Sequence, residues 1–150
     1  MTGDEVRLPG RKLWILHPKG EVMPEAVAPE TVQVLLIDGS WREAGAMAQE
    51  IGSWGRLVSL PMGGESRFWL RSQADAARFS TAEALMFLLG TFGLEDARSA
   101  LRMQLELHVY AGLRARGAKE VAAKFLENSP LREAMPDLLA QMNVRRPREN

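Results

Sequence analysis

The sequence predicts a small, soluble α/β domain: a short parallel sheet flanked by helices, followed by a helical C-terminal part. Two observations predict it. Val32 to Ile37 (Val-Gln-Val-Leu-Leu-Ile) is a β-branched, nearly all-apolar run, as strands covered on both faces are. Runs of this kind alternate with stretches whose apolar residues recur at helical spacing, and two of those stretches open with a Ser-x-x-Glu capping box.

In chain order, residues 1–11 are polar, include Pro9 and Gly10, and read as a flexible arm. Leu13-Trp14-Ile15-Leu16 reads as a first strand closed by His17-Pro18, and a loop with Pro24 and Pro29 follows. The strand at 32–37 ends at Asp38-Gly39. Ser40-Trp41-Arg42-Glu43 then opens a helix through Ala44, Met47, Ala48 and Ile51 that stops near Gly52. Leu57 to Leu60 is a third strand, ended by Pro61-Met62-Gly63-Gly64, and Phe68-Trp69-Leu70 reads as a fourth extended piece. The second capping box, Ser80 to Glu83, starts a helix through Leu85, Phe87, Leu88 and Leu89 that ends near Gly93. Helical patterns fill 94–116, 118–128 and 131–142, with Pro130 and Pro136 at or near boundaries. Residues 12–143 form one domain, and the basic tail 144–150 is expected to be disordered.

Composition narrows the function classes. Hydrophobic residues are 46% of the chain and charged residues 25%, ordinary for a globular protein. Nineteen basic and nineteen acidic side chains balance, so net charge gives no case for a polyanionic partner. The absence of cysteine excludes disulfides, thiol catalysis and Cys-based zinc sites, and His17 and His108 are too few for a histidine-rich one, so no metal is expected. No signal-peptide apolar region and no long uninterrupted apolar stretch are present, which gives a cytoplasmic protein without membrane partners as the expectation.

Ligands of parallel α/β sheets bind outside the carboxyl ends of the strands. Three expected strand ends carry His17-Pro18, Asp38-Gly39-Ser40-Trp41 and Pro61-Met62-Gly63-Gly64. The helix opened by Ser40 aims its positive end toward the same edge. Asp38 is expected to be buried there, and burial makes a carboxylate a better base.

Three ordered segments carry a family resemblance: Leu35-Leu36-Ile37-Asp38-Gly39-Ser40-Trp41-Arg42-Glu43-Ala44, Arg67-Phe68-Trp69-Leu70-Arg71, and Phe79-Ser80-Thr81-Ala82-Glu83-Ala84. With the Leu13-Trp14-Ile15-Leu16-His17-Pro18 strand before them, they resemble the DTW-domain family over roughly residues 13–92, with serine at Ser40 where the family's motif has threonine. The resemblance implies a SPOUT-like α/β fold, whose knot it leaves open. It also implies transfer of the 3-amino-3-carboxypropyl group of S-adenosylmethionine to N3 of a tRNA uridine. On that reading Asp38 is catalytic, and Pro61, Met62, Gly63, Gly64, Ser80, Thr81 and Glu83 bind the S-adenosylmethionine donor. Trp41, Arg42, Arg67, Trp69 and Arg71 contact tRNA by stacking and phosphate pairing. The family's N-terminal Cys-rich segment and an earlier strand-and-helix unit have no counterpart here. A shortened member, with a homo-oligomer or a partner chain supplying the missing half, is therefore the expectation.

The same residues admit plainer roles. Asp38 can cap the following helix, and the capping boxes alone account for Ser40 and Glu83. Trp14, Trp41, Trp54 and Trp69 can be core aromatics, and Arg67, Arg71 and Arg78 a solvated face. His17 can be a core histidine, and His108 lies mid-helix without an identifiable partner. Two other functions stay open: a degenerate DTW-like module that binds a nucleotide or tRNA without catalysis, and a protein whose C-terminal helices pack on a partner.

Overall fold

The computed structural model describes residues 2–38, 41–71 and 78–144, without the side chains of Trp41 and Arg42. It is α/β. The chain divides into two compact units. The first comprises the residues through Glu65 together with Phe79–Arg98, and the second comprises Ser66–Arg78 and the residues from Ser99 onward. The reason is that each unit buries its own apolar set.

The first unit is built on three parallel strands in the order β2-β1-β3: β1 Lys12–Val22, β2 Val32–Leu36 and β3 Arg56–Ser59. The central strand pairs with β2 from Lys12↔Val32 to Leu16↔Leu36, and with β3 from Trp14↔Arg56 to Leu16↔Val58. Because side chains alternate across a strand, this register lines up Trp14, Leu16, Val32, Val34, Leu36 and Val58 on one face. On that face Trp14, Val32 and Val58 are buried with Met23 and with Leu88 of α3 (Thr81–Thr91), and Leu85 and Phe92 pack beside them. On the opposite face Leu13 and Ile15 are buried, at 4% and 0% exposure. Between them in sequence lies Trp14 and beside Leu13 lies Gln33, whose side chain receives the Leu8 backbone N–H at 2.7 Å and donates to the Val6 carbonyl at 2.9 Å.

Those two bonds reach Leu8 and Val6, within residues 1–11, the segment read as an arm. Residues Gly3–Val6 form a helical turn, α1, and Arg7 donates to the Trp54 carbonyl at 2.6 Å, so the leader is tied to the sheet and to the turn before β3. The first strand is also longer than expected, running through His17-Pro18 to Val22. Its ladder with β3 breaks between Leu16 and Glu21, both of which stand opposite Val58. Pro18 falls inside that break, where its missing N–H interrupts no strand pairing. Gly20 lies so near β3 that a Cβ there would stand 2.5 Å from the Val58 nitrogen.

The helices mostly follow the expected pattern. Helix α2 spans Trp41–Ile51, and α3 ends through Gly93, at φ +69°, with the Leu94 N–H returning to the Leu89 carbonyl at 2.9 Å. Helix α4 spans Glu95–Ala115; its Leu105, Val109, Tyr110 and Leu113 are buried at helical spacing in the second unit. Also buried in that unit are Ala122 and Phe125 of α5 (Lys119–Glu127), Leu131 of α6 (Leu131–Ala134) and Leu139 of α7 (Pro136–Asn143). The single helix expected over 131–142 is two, because Pro136 supplies no N–H and instead starts a new helix at its first position. Phe68-Trp69-Leu70 is not a strand but part of a turn, with the Arg71 N–H reaching the Phe68 carbonyl at 3.4 Å. Among the described residues no helix is long and apolar enough to cross a membrane.

The close approach at Gly20 gives a first prediction. Gly20→Ala must push β1 away from β3, and a lowered urea midpoint equivalent to about 1–3 kcal/mol is expected. An unchanged midpoint would show that the two strands have room to spare.

Candidate functional site

At the carboxyl edge of the first unit's sheet, the chain leaves β2 at Leu36 and reaches Asp38 two residues later. The start of α3 is set by a reciprocal cap. The Ser80 N–H and hydroxyl donate to Glu83 Oε2 at 2.7 and 2.9 Å, and the Glu83 N–H returns to Ser80 Oγ at 3.3 Å. Ser80 and Glu83 are 6% and 4% exposed, so the capping box read from the sequence is a buried one. With the helix fixed there, Thr81 at its first position donates its hydroxyl to Asp38 Oδ1 at 2.6 Å. The carboxylate of Asp38 therefore stands at the N-terminus of α3, where the helix dipole favours negative charge.

Asp38 is exposed rather than buried. It lies beyond the last ladder pair, Leu16↔Leu36, so the sheet no longer covers it. The Thr81 hydroxyl holds one of its carboxylate oxygens, Oδ1, while the side chain as a whole is exposed. Pro61, Gly63 and Gly64, after β3, are exposed too, and a Cβ built on Gly63 or Gly64 would meet nothing within 4 Å. Met62 beside them is half-buried. Gly39 and Ser40, with the first capping box and the side chains of Trp41 and Arg42, lie outside the described residues. A cavity of about 450 Å³ opens at the other, amino end of the strands, lined by Lys12, Trp14, Val32 and Arg56 among others, and none of the expected site residues borders it.

The expected tRNA-contacting residues of the second unit are placed differently from one another. Arg67 forms a two-pronged ion pair with Glu106, Nε to Oε1 at 2.9 Å and Nη2 to Oε2 at 2.8 Å. It also donates to the Phe125 carbonyl at 2.8 Å, and its guanidinium carbon lies 3.9 Å from the Phe125 ring centre. Glu106 is 1% exposed, so Arg67 pairs with a buried carboxylate. Trp69 likewise points into the unit: its indole N–H donates to the Ser66 carbonyl at 3.2 Å and its ring meets Phe125 edge-on at 5.2 Å. Both side chains, expected as RNA contacts, are half-buried and bonded within the unit. Only Arg71 keeps an exposed position. Glu106 escaped the sequence reading, although a carboxylate inside the buried stripe of α4 signals a buried cationic partner.

Taken as a class, this is a parallel α/β unit with a hydroxyl–carboxylate pair at the carboxyl edge of its sheet, where such folds bind their ligands. The DTW-domain family model matches residues 5–113, most of the 150 residues, and the chain belongs to that family. No curated protein and no solved structure matches. Membership is consistent with a tRNA-modifying function and with a transferase theme.

Two stability predictions follow from these bonds. Arg67→Ala strands the Glu106 carboxylate and is expected to cost about 3 kcal/mol in urea unfolding, whereas Arg67→Met with Glu106→Leu should recover most of that loss. Ser80→Ala is expected to cost about 1 kcal/mol through the lost cap. A harmless Arg67→Ala would remove the ion pair from the account of this unit.

Proposed function

We propose that the chain transfers the 3-amino-3-carboxypropyl group of S-adenosylmethionine to N3 of a tRNA uridine, on a SPOUT-like α/β unit with Asp38 and Thr81 at its centre. The observation that carries this reading is the 2.6 Å bond from Thr81 to Asp38. It joins two segments that the family resemblance treats as separate blocks, at the sheet edge where a ligand is expected. S-adenosylmethionine, when bound, supplies the electrophilic carbon, and its C–S electron pair leaves with sulfur. What the protein must do is position the acceptor and remove the N3 proton. Thr81 holds Asp38 Oδ1, which turns the second oxygen toward the acceptor to take that proton. The backbone of Pro61 to Gly64 takes the adenosine part, with its glycines leaving room. Ser80 and Glu83 hold the start of α3, and so the direction of Thr81, rather than the donor itself.

The exposure of Asp38 favours one other reading, a module that binds tRNA without catalysis, because a site open to water does not enclose the reacting groups. One experiment separates the two: mass spectrometry of nucleosides from tRNA incubated with the protein and S-adenosylmethionine. Asp38→Asn keeps the shape and the Thr81 contact but removes the base, and product formation should fall about 10²–10⁴-fold. Calorimetry should detect S-adenosylmethionine, with S-adenosylhomocysteine competing. Full product from Asp38→Asn would dismiss Asp38 as the base. tRNA binding with no product from the unmutated chain would favour the binding module.

A further inference from the structure

The loop at residues 66–71 has no strand or helix, yet directed bonds within the second unit hold it at several points. Ser66 Oγ accepts the Phe68 N–H at 3.1 Å, Arg116 donates to the Leu70 carbonyl at 2.8 Å, and Arg67 and Trp69 anchor inward as described above. Gly112 lets Leu70 lie close on α4, since a Cβ there would stand 2.7 Å from Leu70 Cδ2. Positions 108 and 112 are one α4 turn apart, and Arg116 just past the helix end donates its N–H to the Gly112 carbonyl at 3.1 Å, so the loop lies along one side of that helix. With Arg67 and Trp69 turned in, Phe68 and Arg71 are left to face outward.

What they make there, with His108 of α4, is a cluster of three planar groups around the Phe68 ring. The Arg71 guanidinium carbon lies 5.3 Å from the Phe68 ring centre, and the Phe68 and His108 rings are nearly parallel, at 13°, with centres 6.5 Å apart. Arg71 and His108 are exposed and Phe68, which both of them approach, is half-buried. A core needs no such arrangement, because none of the three is needed to fill it. Unpaired bases, in contrast, stack on imidazole, phenyl and guanidinium planes, and arginine also pairs with phosphate.

We infer that Arg71, Phe68 and His108 form a platform for single-stranded RNA. An unpaired base stacks on the exposed His108 ring or Arg71 guanidinium, and the Arg71 donors hold an adjacent phosphate. Phe68 is the positioning residue that keeps the two aligned. This rests on the reading of tRNA as the substrate, but not on the chemistry at Asp38.

The test measures tRNA affinity of the full chain by fluorescence anisotropy across a salt series. His108→Ala should weaken binding about 5- to 100-fold, and His108→Trp should retain it, because any flat ring stacks. Arg71→Gln should weaken binding and lower the slope of log affinity against log salt by about one phosphate contact. Both side chains are exposed, so the fold survives either change. Phe68→Leu, which keeps the bulk but removes the ring, should weaken binding without a shift in the thermal midpoint. Unchanged affinity and salt slope in the His108→Ala/Arg71→Gln double variant, or no tRNA binding by the unmutated chain, overturns the platform. If the variants lose affinity while no modified nucleoside ever forms, the transferase reading fails and the platform stands. If product forms with an unchanged KM for tRNA in the double variant, the platform fails and the transferase reading stands.

Discussion

The carboxylate of Glu83, buried at the first turn of α3, accepts from the backbone N–H and hydroxyl of Ser80, and this exchange decides at which residue the helix begins. A buried carboxylate is costly unless its oxygens are bonded, so the cap and the burial require each other. The direction of Thr81 depends on that start. A helix turns about 100° per residue, and beginning one residue later would swing the Thr81 hydroxyl away from Asp38. The bond across 43 residues between the two family blocks thus hangs on a bond across three.

The sheet supplies the other half of the arrangement. With all three strands parallel, the chain leaves β2 and β3 on the same edge, and the loop at Pro61 to Gly64 shares that edge with Asp38. The central strand does not end there. It continues past the irregularity opposite Val58, and Gly20 permits the close contact that this detour needs.

In the second unit a different electrostatic contact organises the local structure. A buried ion pair is weak evidence for net stability, since desolvation offsets most of the attraction. Its value lies in direction: the planar guanidinium of Arg67 must meet both Glu106 oxygens and the Phe125 carbonyl at once, which fixes the backbone of the loop around it. Segments without regular structure are otherwise held weakly, and here the alternation of inward and outward side chains is the consequence.

Features that depend on neighbours in the chain were determined by the sequence itself. The apolar run at Val32, the Ser80 and Glu83 spacing, the stop at Gly93 and the helical character from residue 94 onward all rest on periodicity, capping and backbone freedom over a few residues. The parallel pairing followed from strands too apolar to face water on either side. Tertiary structure alone decided that His17-Pro18 lies within β1, that residues Gly3–Val6 are bound to the sheet, and that Phe68 to Leu70 turns. It also decided that Asp38 is exposed yet bonded to Thr81, and that Arg67 answers Glu106, 39 residues away. The reason is physical: an arginine or an aspartate has the same local preferences whether it meets solvent, a phosphate or a buried partner. Only the packing of distant elements brings one of those partners within about 3 Å.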